Sequence, residues 1–348
     1  MKYRIVVSGG GTGGHYYPAY AVIKELEKTI DFDLTYFTIY NRLDDIKVSK
    51  DFPYAKKISL KVKGLKRPLY SLENIKILYN TYKNYLSIKK IIKKINPHFV
   101  VLTGGYVTVP VGLAAKKLNI PIFILEQNKI MGVANKVLSN YAEKIFLTYN
   151  NTIGNKFPEK SIVSGNPLRI PEKIDRENLL SNLNFDYNTP LITVFGGSLG
   201  SEFIDNLMKN VYNVYNKIKN VNFIHISKNL KSTWDNVKTF EYLDNLTEYL
   251  AISDMVISRG GATSLSEIDF FDLPAIIIPW EGSAENQQTL NAKALKKKNI
   301  WIFRENNVSY KDIVNIISKV KTRKTYTINK ENPSTIIIKT ILNSLGGA

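Results

Sequence analysis

The feature that most constrains this fold is a glycine-rich loop between a short apolar run and an amphipathic run, present once in each half of the chain. Tyr3 to Ser8 predicts a β-strand, Gly9 to Gly14 forms the loop, and a helix is predicted over about Pro18 to Lys28. Leu191 to Phe195 predicts another strand, and Gly196 to Gly200 the loop before a further helix. Glycines let backbone N–H groups approach a ligand at a helix N-terminus, so this order is typical of an α/β protein that binds anions.

The remaining pattern extends both halves into βα arrays. Further strands are predicted over Leu34–Ile39, Phe99–Thr103, Pro121–Leu125, Lys144–Leu147, Asn222–Ile226, Met255–Ser258 and Ala275–Ile278, and helices over Leu72–Ile95 and Pro110–Lys117. Near-continuous apolar strands separated by helices indicate parallel sheets covered on both faces. We therefore predict an α/β fold of two Rossmann-like domains facing across a cleft, divided near residue 165, where Gly165, Pro167 and Pro171 punctuate the chain.

Composition excludes several classes of protein. A length of 348 residues suits two domains, and no apolar run reaches the ~18 residues that a membrane span needs. The absence of cysteine excludes a disulfide scaffold, thiol catalysis and a Cys-ligated metal. The three histidines have no metal-ligand spacing, and no signal region precedes the first strand, so we expect no metal and a cytoplasmic protein.

The net charge of +18 is concentrated in one segment. Residues 56–117 carry 14 basic side chains and one acidic side chain, Glu73, so we expect an anionic partner. Tyrosines beside lysines suit a membrane interface, and this predicts a membrane patch of Lys63, Lys66, Arg67, Lys76, Tyr79 and Tyr82. The alternatives are an amphipathic helix whose tyrosines pack on the sheet, and a nucleic-acid surface, although no nucleic-acid-binding motif accompanies the charge.

The first glycine loop ends at a histidine. Gly9, Gly11 and Gly14 match the dinucleotide fingerprint, but the second strand lacks the acidic residue that should end it. A ligand-free tight turn is the alternative. His15 opens the following helix, where an imidazole could take a proton from a hydroxyl nucleophile, whereas His98 and His225 are predicted to be structural. We interpret Asp31-Phe32-Asp33 as a solvated turn rather than a metal motif.

A third loop, Arg259 to Gly261, also follows a strand and opens a helix. The N–H groups of Ala262 to Ser264 could hold a diphosphate, and Glu267, one turn further on, could bind ribose hydroxyls. The alternative for Glu267 is an ordinary capping acid at the helix N-terminus.

Together these residues resemble the MurG family along nearly the whole chain. The matching segments are Gly10–Gly14 with His15 and Pro18, Gly104–Val107 with Pro110, Glu126–Asn128 with Asn135 and Lys136, Gly165–Arg169, Gly196–Gly200, Gly261 and Ala262 with Ser266 and Glu267, and Asn286–Gln288 with Asn291 and Ala292. The resemblance implies a GT-B fold and transfer of N-acetylglucosamine from UDP-GlcNAc to lipid I, which forms lipid II for peptidoglycan. It divides the chain into an acceptor- and membrane-binding domain (1–165), a donor-binding domain (166–330) and a C-terminal helix (331–348) that packs back toward the first domain.

The resemblance also assigns roles to individual residues. His15 would be the general base for the acceptor 4-hydroxyl in an inverting reaction, and no metal or other cofactor is expected. The implied UDP-GlcNAc contacts are Thr12, Gly13, Gly14, Asn128, Arg169, Ser198, Leu243, Ala262, Thr263, Ser264, Leu265, Ser266, Glu267, Gln287 and Gln288. The implied location is the anionic cytoplasmic face of the cell membrane, as a peripheral protein, with other cell-wall synthesis proteins as further partners and no nucleic acid.

Two other functions compete with this one. Another GT-B glycosyltransferase would use a different lipid acceptor, such as diacylglycerol. A nucleotide-dependent polyanion-binding protein would use the basic segment instead of performing glycosyl transfer.

Overall fold

The computed structural model describes residues 2–64, 66, 70–171, 173–198, 200–295, 297–323 and 330–346. The chain divides into two compact units, one of residues 1–169 and 331–348 and the other of residues 170–330. The described residues contain no helix that is both long enough and apolar enough to cross a bilayer.

The first unit is built on a parallel sheet. Its described strands are β1 (Tyr3–Ser8), β2 (Phe32–Ile39), β3 (Lys56–Leu60), β4 (Phe99–Leu102), β5 (Ile122–Glu126), β6 (Lys144–Leu147) and β7 (Ser161–Val163), in the order β3-β2-β1-β4-β5-β6-β7. The helices that connect them are α1 (Gly13–Thr29), α2 (Leu43–Asp51), α3 (Glu73–Ile95), α4 (Thr108–Lys117) and α5 (Val133–Leu138). Two apolar clusters contain buried strand side chains, for example Val6 with Val100 in one and Ile5 with Val101 in the other.

The second unit repeats this plan. Its described strands are β8 (Leu191–Phe195), β9 (Asn222–Ile226), β10 (Val237–Phe240), β11 (Met255–Ser258), β12 (Ala275–Ile277) and β13 (Ile300–Ile302), all parallel in the order β10-β9-β8-β11-β12-β13. Its helices are α6 (Arg176–Ser181), α7 (Glu202–Ile218), α8 (Leu246–Ile252), α9 (Ala262–Phe270), α10 (Gln287–Ala294) and α11 (Tyr310–Ile317). Short 3₁₀ turns cover Ser139–Tyr141, Pro158–Lys160, Ala284–Asn286 and Glu305–Asn307.

The last helix, α12 (Pro333–Ser344), belongs to the first unit. Ile337, Ile338 and Ile341 are fully buried and join the apolar cluster that includes Ala19 and Val22 of α1. Burial of each isoleucine stabilises the packing by roughly 1.5–3 kcal/mol, so α12 is an integral part of the first unit's core.

Two predictions of local structure need correction. Helix α1 begins at Gly13 rather than near Pro18, and Pro18 lies inside it. The helical pattern favoured a start at Pro18 because a proline inside a helix lacks the N–H that bonds one turn back, but the structure keeps Pro18 as the sixth residue of α1. Asp33 lies within β2 rather than before it, although both Asp31 and Asp33 are exposed and pair with Lys2, as a solvated segment requires.

Candidate functional site

The glycine loops leave each sheet where the strand order reverses. In the first unit β1 pairs with β4, and in the second β8 pairs with β11, so the carboxyl ends of each pair lie side by side. Ligands of open parallel sheets bind at such switch points. The residues that follow β1 and β4 therefore form one candidate site in the first unit, and those that follow β8 and β11 form another in the second unit.

His15 is held by the end of the neighbouring strand. Its Nδ1 lies 2.9 Å from the backbone oxygen of Thr103, and the Thr103 hydroxyl donates to the His15 backbone oxygen at 2.7 Å. A carbonyl oxygen only accepts, so Nδ1 carries the proton and Nε2 carries the lone pair. This is the tautomer that a general base needs.

Gly104 and Gly105 cover the imidazole and require glycine for two reasons. Both have a left-handed backbone, with φ of +100° and +84°, which L side chains rarely adopt. A Cβ on Gly104 would also lie 2.8 Å from Cε1 and Nδ1 of His15. Gly104 and Gly105 are part of the family resemblance in the sequence, and this resemblance has a physical basis, because only glycine lets this turn pack on His15.

The first glycine loop is held in place by a residue of α2 that the sequence did not identify. Asp44, on α2, accepts the Gly11 N–H at 2.8 Å and the Ile39 N–H at 2.7 Å. It is fully buried. Asp44 lies near the end of β2, where a dinucleotide fold would place its ribose-binding acid, but both of its oxygens bind backbone. The structure therefore argues against the dinucleotide interpretation.

Thr12, Gly13 and Gly14 form the start of α1. Thr12 is the N-cap residue with no side-chain capping bond, and its side chain is exposed. The N–H groups of Gly13 and Gly14 precede the first helical hydrogen bond, so they are able to donate hydrogen bonds to an anion.

Asn128 is positioned by a buried glutamate. Glu126, only 2% exposed, accepts the Asn128 N–H at 3.0 Å and the Asn128 side-chain amide at 3.2 Å, and it also accepts from Gly132 and Asn135 at 2.8 Å. Between them in sequence, the Gln127 side chain donates to the Thr103 oxygen at 3.0 Å, the oxygen that also binds His15. The motif at Glu126–Asn128 therefore supports the His15 site through Thr103.

Arg169 belongs to the same unit. Its guanidinium carbon lies 4.0 Å from the ring centre of Tyr17, two residues beyond His15 on α1. This cation–π contact places a positive charge beside α1.

In the second unit, α9 begins with a free N-terminus. Leu265 N–H makes the first helical bond, to Gly261, so the N–H groups of Ala262, Thr263 and Ser264 precede it. The Thr263 hydroxyl is buried and has no hydrogen-bond partner within the described residues. These are the groups for which the sequence predicted a diphosphate site.

Three other residues predicted to contact UDP-GlcNAc make contacts within the protein. Leu265 is fully buried and its N–H is used in the helix, and the Ser266 hydroxyl donates to Ala262 at 2.8 Å. The structure thus gives Leu265 a packing role, and its contact with UDP-GlcNAc stays a prediction. The Gln288 side-chain oxygen accepts from Gly260 at 3.2 Å and Trp280 at 3.0 Å, which fixes the third loop.

Glu267 is the sixth residue of α9 and is 6% exposed. The first turn of α9 contains no acidic residue, so the capping alternative for Glu267 is wrong.

Arg259, whose role the sequence did not indicate, donates to the Ile278 backbone oxygen at 3.0 Å and pairs with Glu305 at 2.5 Å. These contacts anchor the start of the third loop.

The remaining residues predicted to bind UDP-GlcNAc lie on loops or at a helix start of the second unit. Ser198 is exposed between Gly197 and Gly200, both with positive φ. Leu243 is half-buried in the segment before α8, and Gln287 is half-buried at the start of α10.

The other two histidines have structural contacts, as predicted. His98 Nδ1 accepts the Arg4 N–H at 2.9 Å. His225 is fully buried between Asp205, 3.1 Å from Nε2, and the Tyr212 hydroxyl, 2.8 Å from Nδ1. In the described part of the chain, no three His, Asp or Glu side chains are grouped to hold a metal ion.

The predicted membrane patch lies on and before the first half of α3. Lys63, Lys66 and Lys76 are exposed, and Tyr79 and Tyr82 are 57% and 58% exposed; Arg67 lies outside the described residues. The exposed surface also includes Leu72, Ile75, Leu78 and Leu86. Tyr85, by contrast, packs against the sheet cluster, so the alternative of inward-facing tyrosines holds for Tyr85 but not for Tyr79 or Tyr82.

Known proteins match the chain along its whole length. Residues 5–147 match the glycosyltransferase family 28 N-terminal domain, and residues 191–341 match the glycosyltransferase family 28 C-terminal domain. A protein of Thermosipho africanus is 44% identical over 98% of this chain and 99% of its own length; one of Thermotoga maritima is 37% identical over 98% and 99%. Both are named UDP-N-acetylglucosamine–N-acetylmuramyl-(pentapeptide) pyrophosphoryl-undecaprenol N-acetylglucosamine transferase.

Solved structures confirm the predicted GT-B fold. Acinetobacter baumannii MurG superposes with a TM-score of 0.72 at 19% identity, covering 99% of this chain and 100% of that one. A UDP-GlcNAc 2-epimerase from Neisseria meningitidis, bound to UDP-GlcNAc, has a TM-score of 0.66 at 18% identity with the same coverage. At these identities the likeness concerns the fold alone.

Proposed function

The chain belongs to the family of UDP-N-acetylglucosamine–N-acetylmuramyl-(pentapeptide) pyrophosphoryl-undecaprenol N-acetylglucosamine transferases, and we propose that it transfers N-acetylglucosamine from UDP-GlcNAc to lipid I. The observation that carries the proposal is the 44% identity over nearly the full length of both chains. The candidate sites of the two units supply chemistry that this reaction needs.

The candidate site of the first unit activates the acceptor. His15 Nε2 takes the proton of the acceptor 4-hydroxyl while the oxygen forms a bond to C1 of the donor sugar. The bond from C1 to the UDP phosphate breaks, its electron pair leaves with UDP, and the configuration at C1 inverts. The Thr103 oxygen, 2.9 Å from Nδ1, stabilises the protonated imidazole that results.

The candidate site of the second unit holds UDP-GlcNAc, the sugar donor. The free N–H groups of Ala262 to Ser264 and the Thr263 hydroxyl bind the diphosphate and stabilise its growing charge, with Ser198 of the neighbouring loop. Glu267 binds the ribose hydroxyls, Leu243 packs on uracil, and Gln287 contacts the sugar. Arg169 adds a positive charge for the leaving UDP.

We also propose that the membrane patch places the protein on the anionic inner face of the cell membrane, where a polyprenyl-linked acceptor resides. The exposed apolar side chains would enter the headgroup region, and Lys63, Lys66 and Lys76 would contribute about 1 kcal/mol each on an anionic surface. Lys66 also pairs with Glu73, and Asn74 holds the Lys66 backbone at 2.8 and 2.9 Å, so this part of the patch is ordered.

A direct assay tests the function. Purified protein is incubated with radiolabelled UDP-GlcNAc and a lipid I analogue, and labelled lipid product is separated and counted. We expect transfer to lipid I, and none to diacylglycerol or from UDP-glucose. Transfer to diacylglycerol alone would indicate the other lipid glycosyltransferase, and RNA binding at 150 mM salt without any transfer would indicate the polyanion-binding protein.

A further inference from the structure

Asp44 joins two segments that are far apart in sequence. It lies at the second position of α2, after the turn that follows β2, and is fully buried. One carboxylate oxygen accepts the Ile39 N–H at 2.7 Å at the end of β2, and the other accepts the Gly11 N–H at 2.8 Å in the glycine loop. Both oxygens of a buried charge are therefore used to hold backbone.

The glycine loop is shaped to receive this carboxylate. A Cβ on Gly10 would lie 2.2 Å from the Asp44 carboxyl carbon, so only glycine allows the approach. On the other side of Gly10, the Tyr36 hydroxyl donates to the Gly9 oxygen at 2.8 Å. Burial raises the pKa of Asp44, while its bonds from Gly11 and Ile39 oppose the rise.

The bond to Gly11 bears directly on His15. Gly11 has φ of +88° and precedes Thr12, the N-cap of α1. The Thr12 oxygen accepts the His15 N–H at 3.2 Å. A shift of Gly11 therefore moves Thr12 and the helical turn that carries the imidazole.

We propose that Asp44 is a positioning residue for the transfer reaction: its carboxylate fixes the glycine loop so that Thr12 and His15 are held in reactive orientation. The reactive role of His15 rests on the proposed function, whereas the clamp does not. The clamp is the pair of hydrogen bonds that Asp44 accepts from the N–H groups of Gly11 and Ile39. Displacement of a reacting group by about 1 Å costs on the order of 10²-fold in rate, which makes such a clamp matter.

The neighbouring aspartate offers a matched control. Asp45 lies in the same turn and is also buried, but it accepts from the Thr38 hydroxyl at 2.8 Å and the Asn41 N–H at 3.1 Å and pairs with Lys57 at 3.4 Å. None of the bonds described for Asp45 reaches the glycine loop.

The test compares Asp44→Asn with Asp45→Asn. An asparagine at 44 presents an NH₂ group to one of the two N–H donors, so the clamp is broken while the size is kept. We expect both variants to lower Tm, but only Asp44→Asn to lower kcat by tenfold or more, and Asp45→Asn to stay within about threefold of wild type. Equal loss of kcat in both variants, or none in Asp44→Asn, would overturn the proposal.

A second readout does not depend on activity. Amide hydrogen exchange should be at least tenfold faster in Asp44→Asn than in wild type and Asp45→Asn at Gly11 or at Ile39, whichever N–H faces the new NH₂ group and loses its acceptor. Unchanged exchange at both Gly11 and Ile39 overturns the clamp. If wild type does not transfer N-acetylglucosamine but exchange at Gly11 or Ile39 rises as expected, the clamp stands and the proposed function is wrong.

Discussion

Replacement of Gly104 by alanine tests whether the turn above His15 controls the reaction. The new Cβ would lie 2.8 Å from Cε1 and Nδ1 of His15, whereas an ordinary contact between such atoms is about 3.5–4.0 Å. The imidazole must therefore move by roughly 0.7 Å or more, away from a position fixed by the 2.9 Å bond to Thr103.

The expected cost has two parts. A left-handed backbone costs an alanine about 1–2 kcal/mol, which lowers stability. Movement of the base by close to 1 Å lowers kcat by about 10²-fold, equivalent to about 2.7 kcal/mol in the activation barrier. The first part would appear in Tm and the second in kcat.

Gly154→Ala separates these effects. Gly154 has φ of +86°, and its Cβ would meet the flexible end of Lys136 at 2.7 Å rather than His15. Steady-state transfer assays and thermal melts of both variants should show similar losses of Tm, with kcat reduced about 10²-fold only in Gly104→Ala. If Gly104→Ala keeps the kcat of Gly154→Ala, the contact with His15 does not govern the chemistry.

Three further outcomes are expected. Glu267→Ala should raise the donor KM by about 10- to 100-fold through loss of hydrogen bonds to a charged group, with kcat changed less; an unaltered KM in initial-rate assays would remove Glu267 from the ribose site. Replacing Tyr79 and Tyr82 by serine should weaken sedimentation with anionic vesicles about tenfold or more, while Tyr187→Ser, an exposed tyrosine of the second unit, should leave it unchanged; equal binding of all variants would contradict the patch. Burial pushes the pKa of Asp205 up, but hydrogen bonds from its partners bring it below the usual value, so Asp205 stabilises the fold above about pH 4 and less as pH falls further. The Tm difference between wild type and Asp205→Asn should therefore shrink in melts below pH 4, and a difference independent of pH would refute this.

The regular elements followed from the sequence where hydrophobic pattern was strong. Strand β1 lies at the predicted Tyr3–Ser8, and β8 at the predicted Leu191–Phe195, since both are apolar and buried. The edge strand β3 was missed because Lys56 and Lys57 give it the charged character of a sheet edge. Periodicity along α3 placed its tyrosines on a helix but could not show that Tyr79 is exposed.

The site was predictable only in part. The glycine loops that follow strands pointed to His15 and to the start of α9, because these residues directly follow the loops in the sequence. The supports of these groups are not local: Thr103 lies 88 residues from His15, and Asp44 lies 33 residues from Gly11. Only the sheet order, which brings β1 beside β2 and β4, shows that these residues meet.

In the proposed reaction, His15 removes the proton from the acceptor hydroxyl during transfer of N-acetylglucosamine. The decisive measurement is single-turnover transfer of labelled N-acetylglucosamine to a lipid I analogue by wild type and His15→Ala, with UDP-GlcNAc affinity measured in parallel. Loss of a general base should slow the transfer step by about 10²-fold or more while UDP-GlcNAc affinity stays the same. Transfer by His15→Ala at the wild-type rate would show that His15 is not the general base.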